Sequence, residues 1–237
     1  AWAGAVRGRA AVGGGPFAPE FGTLAEREDL QRSLAGLRGS ENLLEGGDFE
    51  DLAQLKRYGW QHVADPLAGI DGRAELSPRA PREGRYALEL AAKPMSPGDA
   101  PQIVARPLVW ITSPPVRATA DQLLEISGWV RVPEPIVGSI DGVQIVDSLG
   151  GPELALRIKA SPEWQPFRLV RGVSETSDVA VTFVLAGLGS ASIDDVAIRV
   201  LAPPSAKRLP PEETVPPYAS PEAAPVQGPL FLAPGPR

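Results

Sequence analysis

Residues 124–132 read Leu-Glu-Ile-Ser-Gly-Trp-Val-Arg-Val, so that every second residue is apolar or glycine. Side chains of an extended strand alternate between its two faces, and this stretch therefore predicts a strand with one buried face. Such one-sided alternation is typical of antiparallel sheets whose other face meets solvent. The predicted core face consists of Leu124, Ile126, Gly128, Val130 and Val132.

Short runs of the same kind, separated by turn residues, continue across residues 42–202. This pattern predicts an all-β fold, an antiparallel β-sandwich of the jelly-roll type. No strand–helix–strand rhythm is present, which disfavours a parallel α/β sheet, and only 51–58 is predicted to be helical here. The predicted strands are 43–49, 60–64, 73–77, 86–92, 102–105, 108–111, 123–132, 143–147, 154–160, 164–170, 179–185 and 191–201.

Two acidic phrases bracket this β-rich region. Residues 42–50 read Asn-Leu-Leu-Glu-Gly-Gly-Asp-Phe-Glu, and residues 192–196 read Ser-Ile-Asp-Asp-Val. Each phrase places carboxylates beside strand-forming apolar residues. We expect the first and last strands of the sandwich to lie side by side, which would bring the two acidic phrases together.

Two extensions flank the predicted sandwich. Residues 1–41 are predicted to form an extension with one helix, about 23–38, in which Leu30, Leu34 and Leu37 share one face. So thin an apolar stripe does not stabilise a lone helix, and we expect it to pack on the domain or on another chain.

The second extension, residues 203–237, contains 11 prolines and is predicted to be extended. Tyr218 and the apolar run 230–232 are its predicted anchors to a partner chain. The chain begins at Ala1 without methionine, and we therefore expect a processed form or a piece of a longer protein.

Composition excludes several classes of function. The net charge of −6 and a pI near 5.0 argue against a nucleic-acid surface, which needs clustered lysine and arginine. The chain has no cysteine, and so neither disulfides nor thiolate metal sites are possible. No apolar run reaches the roughly 18–20 residues of a membrane-spanning helix.

Several phrases follow one another in a characteristic order: 42–50 with Gly59-Trp60, 84–90, 128–131, 164–167 and 193–196. This ordered set resembles the jelly-roll carbohydrate-binding modules of the galactose-binding-like superfamily. Together with residues 109–115 and 147–151, it is also similar to the end domain of large uncharacterised proteins of planctomycete-type bacteria. The resemblance implies a non-catalytic accessory module that binds a glycan, and an extracytoplasmic location in the periplasm or at the cell surface.

A structural calcium ion is the cofactor that this resemblance implies. In such modules the ion ties the first strand to the last, and calcium takes six to eight oxygen ligands. Here Asp48, Glu50, Asp194 and Asp195 could supply carboxylate oxygens. The alternative is that these residues cap turns or face water.

Exposed aromatic rings are the usual route to glycan binding, because a pyranose ring stacks on them. Trp129 and Trp164 stand at positions that resemble core tryptophans of the family, and we expect both to be buried. Tyr58, His62 and Trp110 form the predicted ligand patch, with structural roles as the alternative for at least two of them.

Catalysis is the weakest hypothesis, and we expect no enzyme activity. His62 is the single histidine, and neither a nucleophile elbow nor a phosphate-binding or dinucleotide-binding glycine pattern is present. With 29 acidic residues, a pair of carboxylates for glycoside hydrolysis is not excluded, but no feature of the sequence identifies such a pair. Two functions remain, a glycan-binding module or a structural subunit of an assembly tethered by its extensions. Exposed rings on a sheet face would favour the first, and a helix-covered face the second.

Overall fold

Two antiparallel sheets pack face to face over one aliphatic core, which confirms the predicted all-β sandwich. The structure is a computed structural model and describes residues 32–64, 69–96, 98 and 101–203. The strands are β1 (Arg38–Gly39), β2 (Gln61–Ala64), β3 (Ile70–Ser77), β4 (Ala87–Pro94), β5 (Val109–Thr112), β6 (Val116–Ala118), β7 (Leu123–Val132), β8 (Val143–Asp147), β9 (Leu156–Ile158), β10 (Ser161–Gly172), β11 (Ser177–Val179), β12 (Val181–Leu185) and β13 (Gly189–Ala202).

The strands form two large sheets and one small one. Sheet A has the order β10-β7-β13-β4-β3, and β1 also pairs with β13. Sheet B has the order β2-β5-β12-β8-β9, while β11 and β6 form a two-stranded sheet. The core lies between sheets A and B and includes Leu90, Ile126 and Ile193 from sheet A with Ile145 and Phe183 from sheet B.

The alternation in β7 is confirmed, since all five predicted core residues are buried and the residues between them are not. Most other predicted strands are present with shifted ends. The predicted strand 102–105 is wrong, because this segment has no ladder partner. The short strands β1, β6 and β11 escaped sequence analysis because two or three residues show no periodicity.

Residues 43–49 are turns and not the predicted strand. Gly46 and Phe49 have positive φ angles of 72° and 53°, a left-handed conformation that ends any ladder. The chain nevertheless runs beside β13, because the amide of Leu43 donates to the Ile198 carbonyl at 2.9 Å. The Asn42 side chain also accepts from the Ile198 amide at 3.0 Å. The two ends of the domain therefore meet as predicted.

The acidic phrase in β13 coincides with a β-bulge. The pairing of β13 with β7 shifts register between Asp194 and Ala197, and Asp195 has a positive φ of 50°. A bulge re-aims the side chains on either side of it. Opposite this bulge the Val196 amide donates to the Gly47 carbonyl at 2.8 Å.

The helix predicted over 51–58 is confirmed as α1 (Leu52–Tyr58). The carboxylate of Asp51 caps it by accepting from the amides of Ala53 and Gln54 at 2.7 and 3.2 Å. Gly59, with φ of 96°, ends the helix. No helix of the described residues is long and apolar enough to span a membrane.

Of the helix predicted over about 23–38, residues 32–38 are described: 32–35 are helical, whereas Gly36 lies in a turn and Arg38 begins β1, so the predicted helix is too long at its C-terminal end. Leu34 is buried against Val170 and Leu201 of sheet A, and Leu37 packs on the same cluster. Residues 23–31 of that predicted helix and residues 204–237 of the proline-rich tail lie outside the described residues. Pro152–Leu154 forms a further helical segment, a single 3-10 turn.

Candidate functional site

The outer face of sheet B carries a continuous row of five side chains. Directly paired residues of an antiparallel sheet point to the same face. The pairs Val63–Trp110, Trp110–Val184, Val184–Gln144 and Gln144–Arg157 place these residues side by side across all five strands. Since Ile111, Phe183 and Ile145 of the same strands fill the core, the row faces outward.

A second row, two residues along the strands, is made of polar and small apolar side chains. It follows from the pairs Gln61–Thr112, Thr112–Thr182 and Thr182–Val146. The hydroxyls of Thr112 and Thr182 are 3.0 Å apart and hydrogen bonded. The two rows together combine one indole ring with valine, threonine and glutamine side chains and one arginine.

Arg157 is the charged residue of these two rows, and it is fully engaged. Its Nε donates to the Asp141 carboxylate at 3.0 Å, and its terminal nitrogens donate to the carbonyls of Pro152 and Ala155 at 2.8 and 3.2 Å. The face therefore presents little net charge to a ligand.

Trp110 is half-buried on this face and is flanked by Val63, which is 43% exposed. An indole edge and face that reach solvent beside an aliphatic side chain offer a stacking surface for the C–H face of a sugar. Gln144 lies two strands away, about 10 Å by the usual strand spacing. That distance exceeds one pyranose ring, and so stacking and amide contacts would engage different sugar units.

The other two residues of the predicted ligand patch lie elsewhere. His62 pairs with Ile111, a core residue, so that it points to the opposite side of sheet B from Trp110. Tyr58 packs against the core, and its hydroxyl is 3.4 Å from Gln54 Oε1. The structure does not gather these side chains around Trp110, and a ligand role for Tyr58 or His62 stays a prediction.

Three of the four predicted metal-binding carboxylates, Glu50, Asp194 and Asp195, contact the connection between β3 and β4. Glu50 Oε1 accepts from the amides of Arg85 and Tyr86 at 2.8 and 3.1 Å. Asp194 Oδ2 accepts from the amides of Arg82 and Glu83 at 3.0 and 3.4 Å. We call residues 78–86 the strap, because these two carboxylates hold it against the sheet at two points.

The pKa values of the two carboxyl groups are shifted in opposite directions. The amides of Tyr86 and Arg85 lower the pKa of Glu50, because they stabilise the charged form. Burial raises the pKa of Asp194 to about 6, although amide hydrogen bonds from Arg82 and Asp195 act in the opposite direction. Asp195 is paired with the Arg82 guanidinium at 2.6 Å.

Calcium binding at this junction stays a prediction. Asp48 is exposed, and within the described ranges no group of three or more acidic or histidine side chains is arranged to hold a metal. Protein donors already engage Glu50, Asp194 and Asp195. An ion held here would need backbone carbonyls for most of its six to eight oxygen ligands.

The calcium prediction is tested by thermal unfolding in calcium chloride and in a chelator. A bound ion stabilises only the folded state, and so Tm should be several degrees higher with calcium. Magnesium chloride at the same ionic strength is the control for salt effects. Equal Tm values in calcium and chelator would show that amides and Arg82 hold the strap without a metal.

The predicted burial of Trp129 and Trp164 is wrong. Trp129 alternates out of the core face of β7, and the Arg82 guanidinium covers its ring at 3.9 Å from the centroid. Trp164 is half-buried, and its indole N–H donates to the Ala80 carbonyl at 3.3 Å. Both rings therefore contact the strap from outside the core. For Trp129 this position follows from the alternation of β7, because the residue lies on the face opposite Gly128 and Val130.

The strap itself was missed by sequence reasoning, although Gly84 carries a signal. Gly84 has a positive φ of 68°, and a Cβ there would lie 2.1 Å from Glu50 Oε1. Gly84, just before β4, is therefore a position where another segment approaches the backbone too closely for a side chain. The identity of that segment depends on contacts more than 30 residues apart, which no local pattern shows.

Comparisons with known proteins show likeness in structure alone. No family model matches the chain. No curated protein matches it in sequence. Among solved structures it is similar to the CBM22-1 xylan-binding domain from Paenibacillus barcinonensis Xyn10C, at 12% identity, TM-score 0.40, and 65% and 91% coverage of this chain and that chain.

Two further solved structures are similar to the chain. TmCBM61 in complex with beta-1,4-galactotriose shows 17% identity and a TM-score of 0.43, with 67% of this chain and 98% of that chain covered. The enzymatically active domain of Bacteriophage CBA120 tailspike protein 4 shows 10% identity and a TM-score of 0.46, with 67% of this chain and 21% of that chain covered. Function is therefore inferred from the residues of this chain.

Proposed function

We propose that the protein is a non-catalytic module that binds a glycan on the outer face of sheet B. The observation that carries this proposal is the half-buried indole of Trp110, which lies between two valines on a sheet face that also carries two threonines and two glutamines. A sugar stacks through its C–H face on the ring, while its hydroxyls exchange hydrogen bonds with the neighbouring amides and hydroxyls.

A binding role without catalysis agrees with the charges of this face. Glycoside hydrolysis needs two carboxyl groups on opposite sides of the scissile bond. Asp141 lies beside the first row, and its carboxylate is paired with the Arg157 guanidinium. The two rows of the described strands themselves consist of one arginine and uncharged side chains, and so they contribute no carboxyl group.

The Trp110→Ala variant tests the proposed site. Loss of the ring removes the stacking surface, and we expect the Kd for the best ligand of a glycan array to rise at least about tenfold. Gln144→Ala should weaken binding of oligosaccharides more than of monosaccharides. Gln102→Ala changes an exposed glutamine away from these rows and is the matched control. Titration calorimetry measures the affinity of all three variants. An unchanged affinity of Trp110→Ala would refute the proposed site.

A structural subunit of an assembly is the second candidate function. Leu34 and Leu37 pack on the outer side of sheet A, and so part of that sheet is covered by the N-terminal segment. Ile103, Val137 and Ile140 are 80%, 57% and 82% exposed, more than an isolated domain requires. Protein partners would contact these residues or the extensions.

The mass in solution separates the two candidates. An assembly subunit should elute as a larger species that shrinks when residues 203–237 are removed, whereas a binding module should elute as a monomer in both forms. The extracytoplasmic location, and the place at the end of a larger planctomycete-type protein, remain part of this proposal.

A further inference from the structure

The edge strand β3 carries a row of backbone groups without hydrogen-bond partners. In the described chain β3 is the last strand of sheet A, and it pairs with β4 alone. The Met95 amide donates to the Gly69 carbonyl at 2.7 Å, one step before the first pair of this ladder. Because hydrogen-bonded pairs alternate along an antiparallel ladder, the odd-numbered residues of 71–77 bond to β4. The amides and carbonyls of the even-numbered residues point away from β4, and no partner for them lies among the described residues.

The free edge of β3 is accessible and regular. None of the residues 71–76 is buried. The ladder with β4 continues without a register shift from Ile70 to Ser77, and these residues include no proline. Edge strands are usually protected by proline, by a bulge or by their short length, because an open edge pairs with other chains. β3 has none of these three protections.

The other edges of the two large sheets do have such protection. β10, at the opposite edge of sheet A, contains Pro162 and Pro166, and its register shifts between Ser161 and Gln165. β2 and β9, the two edges of sheet B, have four and three residues. With eight residues, β3 is therefore the edge best suited to pair with a further strand.

The charges of β3 complement those of a second, antiparallel β3. Ala74 and Leu76 pack against the core, and so Asp71, Arg73 and Glu75 lie on the outer face, with alternating sign. A pairing centred on Ala74 places Arg73 of each copy directly opposite Glu75 of the other. Opposite charges at directly paired positions stabilise an antiparallel sheet. Both side chains are exposed, and within one chain they are 3.5 Å apart.

The same register suits the backbone and the inner face. The free groups of Gly72, Ala74 and Leu76 would lie opposite those of Leu76, Ala74 and Gly72 of the second copy. This arrangement provides about six backbone hydrogen bonds. Leu76, half-buried at the margin of the core, would pack over Gly72 of the second copy, where no side chain obstructs it.

Other registers that align the free backbone groups are less favourable. A pairing centred on Arg73 sets the two Arg73 side chains opposite each other and Asp71 opposite Glu75. A pairing centred on Glu75 brings the two Glu75 carboxylates together. Like charges at paired positions destabilise a sheet. A pairing centred on Gly72 keeps opposite charges together, but it covers only residues 70–74 of β3, whereas the Ala74 register covers 71–77.

We propose that β3 pairs with β3 of a second copy of the chain, antiparallel and centred on Ala74, so that two A sheets become one continuous sheet. One strand edge buries less than the roughly 1,200 Å² of a stable interface, and we expect a weak dimer with a Kd of about 0.1 mM. At the micromolar concentrations of size-exclusion chromatography, the chain would therefore elute as a monomer. This pairing does not depend on the proposed glycan site.

Sedimentation equilibrium of the full chain, from about 10 µM to about 1 mM, tests for this dimer. Arg73→Glu or Glu75→Arg alone places like charges opposite each other and should weaken the dimer about tenfold or more. An equimolar mixture of the two variants restores opposite charges at both positions and should dimerise like the wild type. Such recovery does not arise from a folding defect. Arg117→Glu reverses an arginine of an exposed ion pair away from β3, and this matched control should dimerise normally.

Amide hydrogen exchange, measured by NMR, shows which edge is involved. In the monomer the amides of Arg73 and Glu75 are bonded to β4, whereas those of Gly72, Ala74 and Leu76 should exchange rapidly. Dimerisation should protect these three amides as the protein concentration rises. A chain that stays monomeric at about 1 mM would overturn the proposal. A dimer that leaves the three amides unprotected, or a mixture of the charge variants that does not recover, would overturn it as well.

Discussion

Asp147→Ala is expected to destabilise the fold by about 3–5 kcal/mol, because it leaves a buried guanidinium without its counter-ion. Asp147 is 0% and Arg171 5% exposed. Arg171 Nε and Nη2 donate to Asp147 Oδ2 at 2.9 and 2.8 Å. The pair joins β10 of sheet A to β8 of sheet B, and its loss would therefore act between the two sheets.

Urea unfolding measures this effect, and an exposed pair serves as control. Arg117 and Asp178 also form an ion pair, at 3.1 Å, but both are exposed. Asp178→Ala should cost well under 1 kcal/mol because solvent screens such a pair. The double variant Asp147→Leu/Arg171→Met should recover much of the stability, since apolar residues replace both charges. A loss below about 1 kcal/mol in Asp147→Ala would contradict a buried ion pair that joins the sheets.

Gly47→Ala is expected to have an effect of similar size through a different cause. A Cβ at Gly47 would lie 2.0 Å from the Val196 carbonyl oxygen, which belongs to the backbone of β13. Backbone cannot move aside as a side chain can. The first segment would have to separate from the last strand, at a cost of about 3 kcal/mol or more.

Gly36→Ala is the matched control, because no atom lies within 4 Å of a Cβ at that position. It should leave stability unchanged or raise it slightly by restricting the unfolded chain. Both variants can be compared by urea unfolding followed by circular dichroism. A Gly47→Ala protein as stable as the wild type would contradict the close approach of residues 42–50 to β13.

The fold was predictable where the pattern was long. Ten residues of β7 alternate without interruption, and their buried face follows from the period of a strand. Residues 43–49 mislead, because their apolar residues suggest a strand whereas Gly46 and Phe49 turn the chain. The meeting of the two ends was predictable from a family resemblance, but the hydrogen bonds of Asn42 that establish it were not.

The candidate sites were predictable only in part. Trp110 belonged to the predicted ligand patch, yet Gln144 and Thr182, which share its sheet face, come from strands more than 30 residues away. Which side chains share a sheet face depends on strand order, and sequence patterns do not reveal that order.

The position of β13 in sheet A bears on how the chain acquires its structure during synthesis. β13, the last strand of the described chain, lies between β7 and β4 and also pairs with β1. Until it emerges from the ribosome, β7 and β4 have unpaired edges, and sheet A is split in two. Folding should therefore be late and slow, as expected when contacts between distant segments dominate. A nascent chain that stops before Gly189 would have exposed strand edges and would be prone to aggregate.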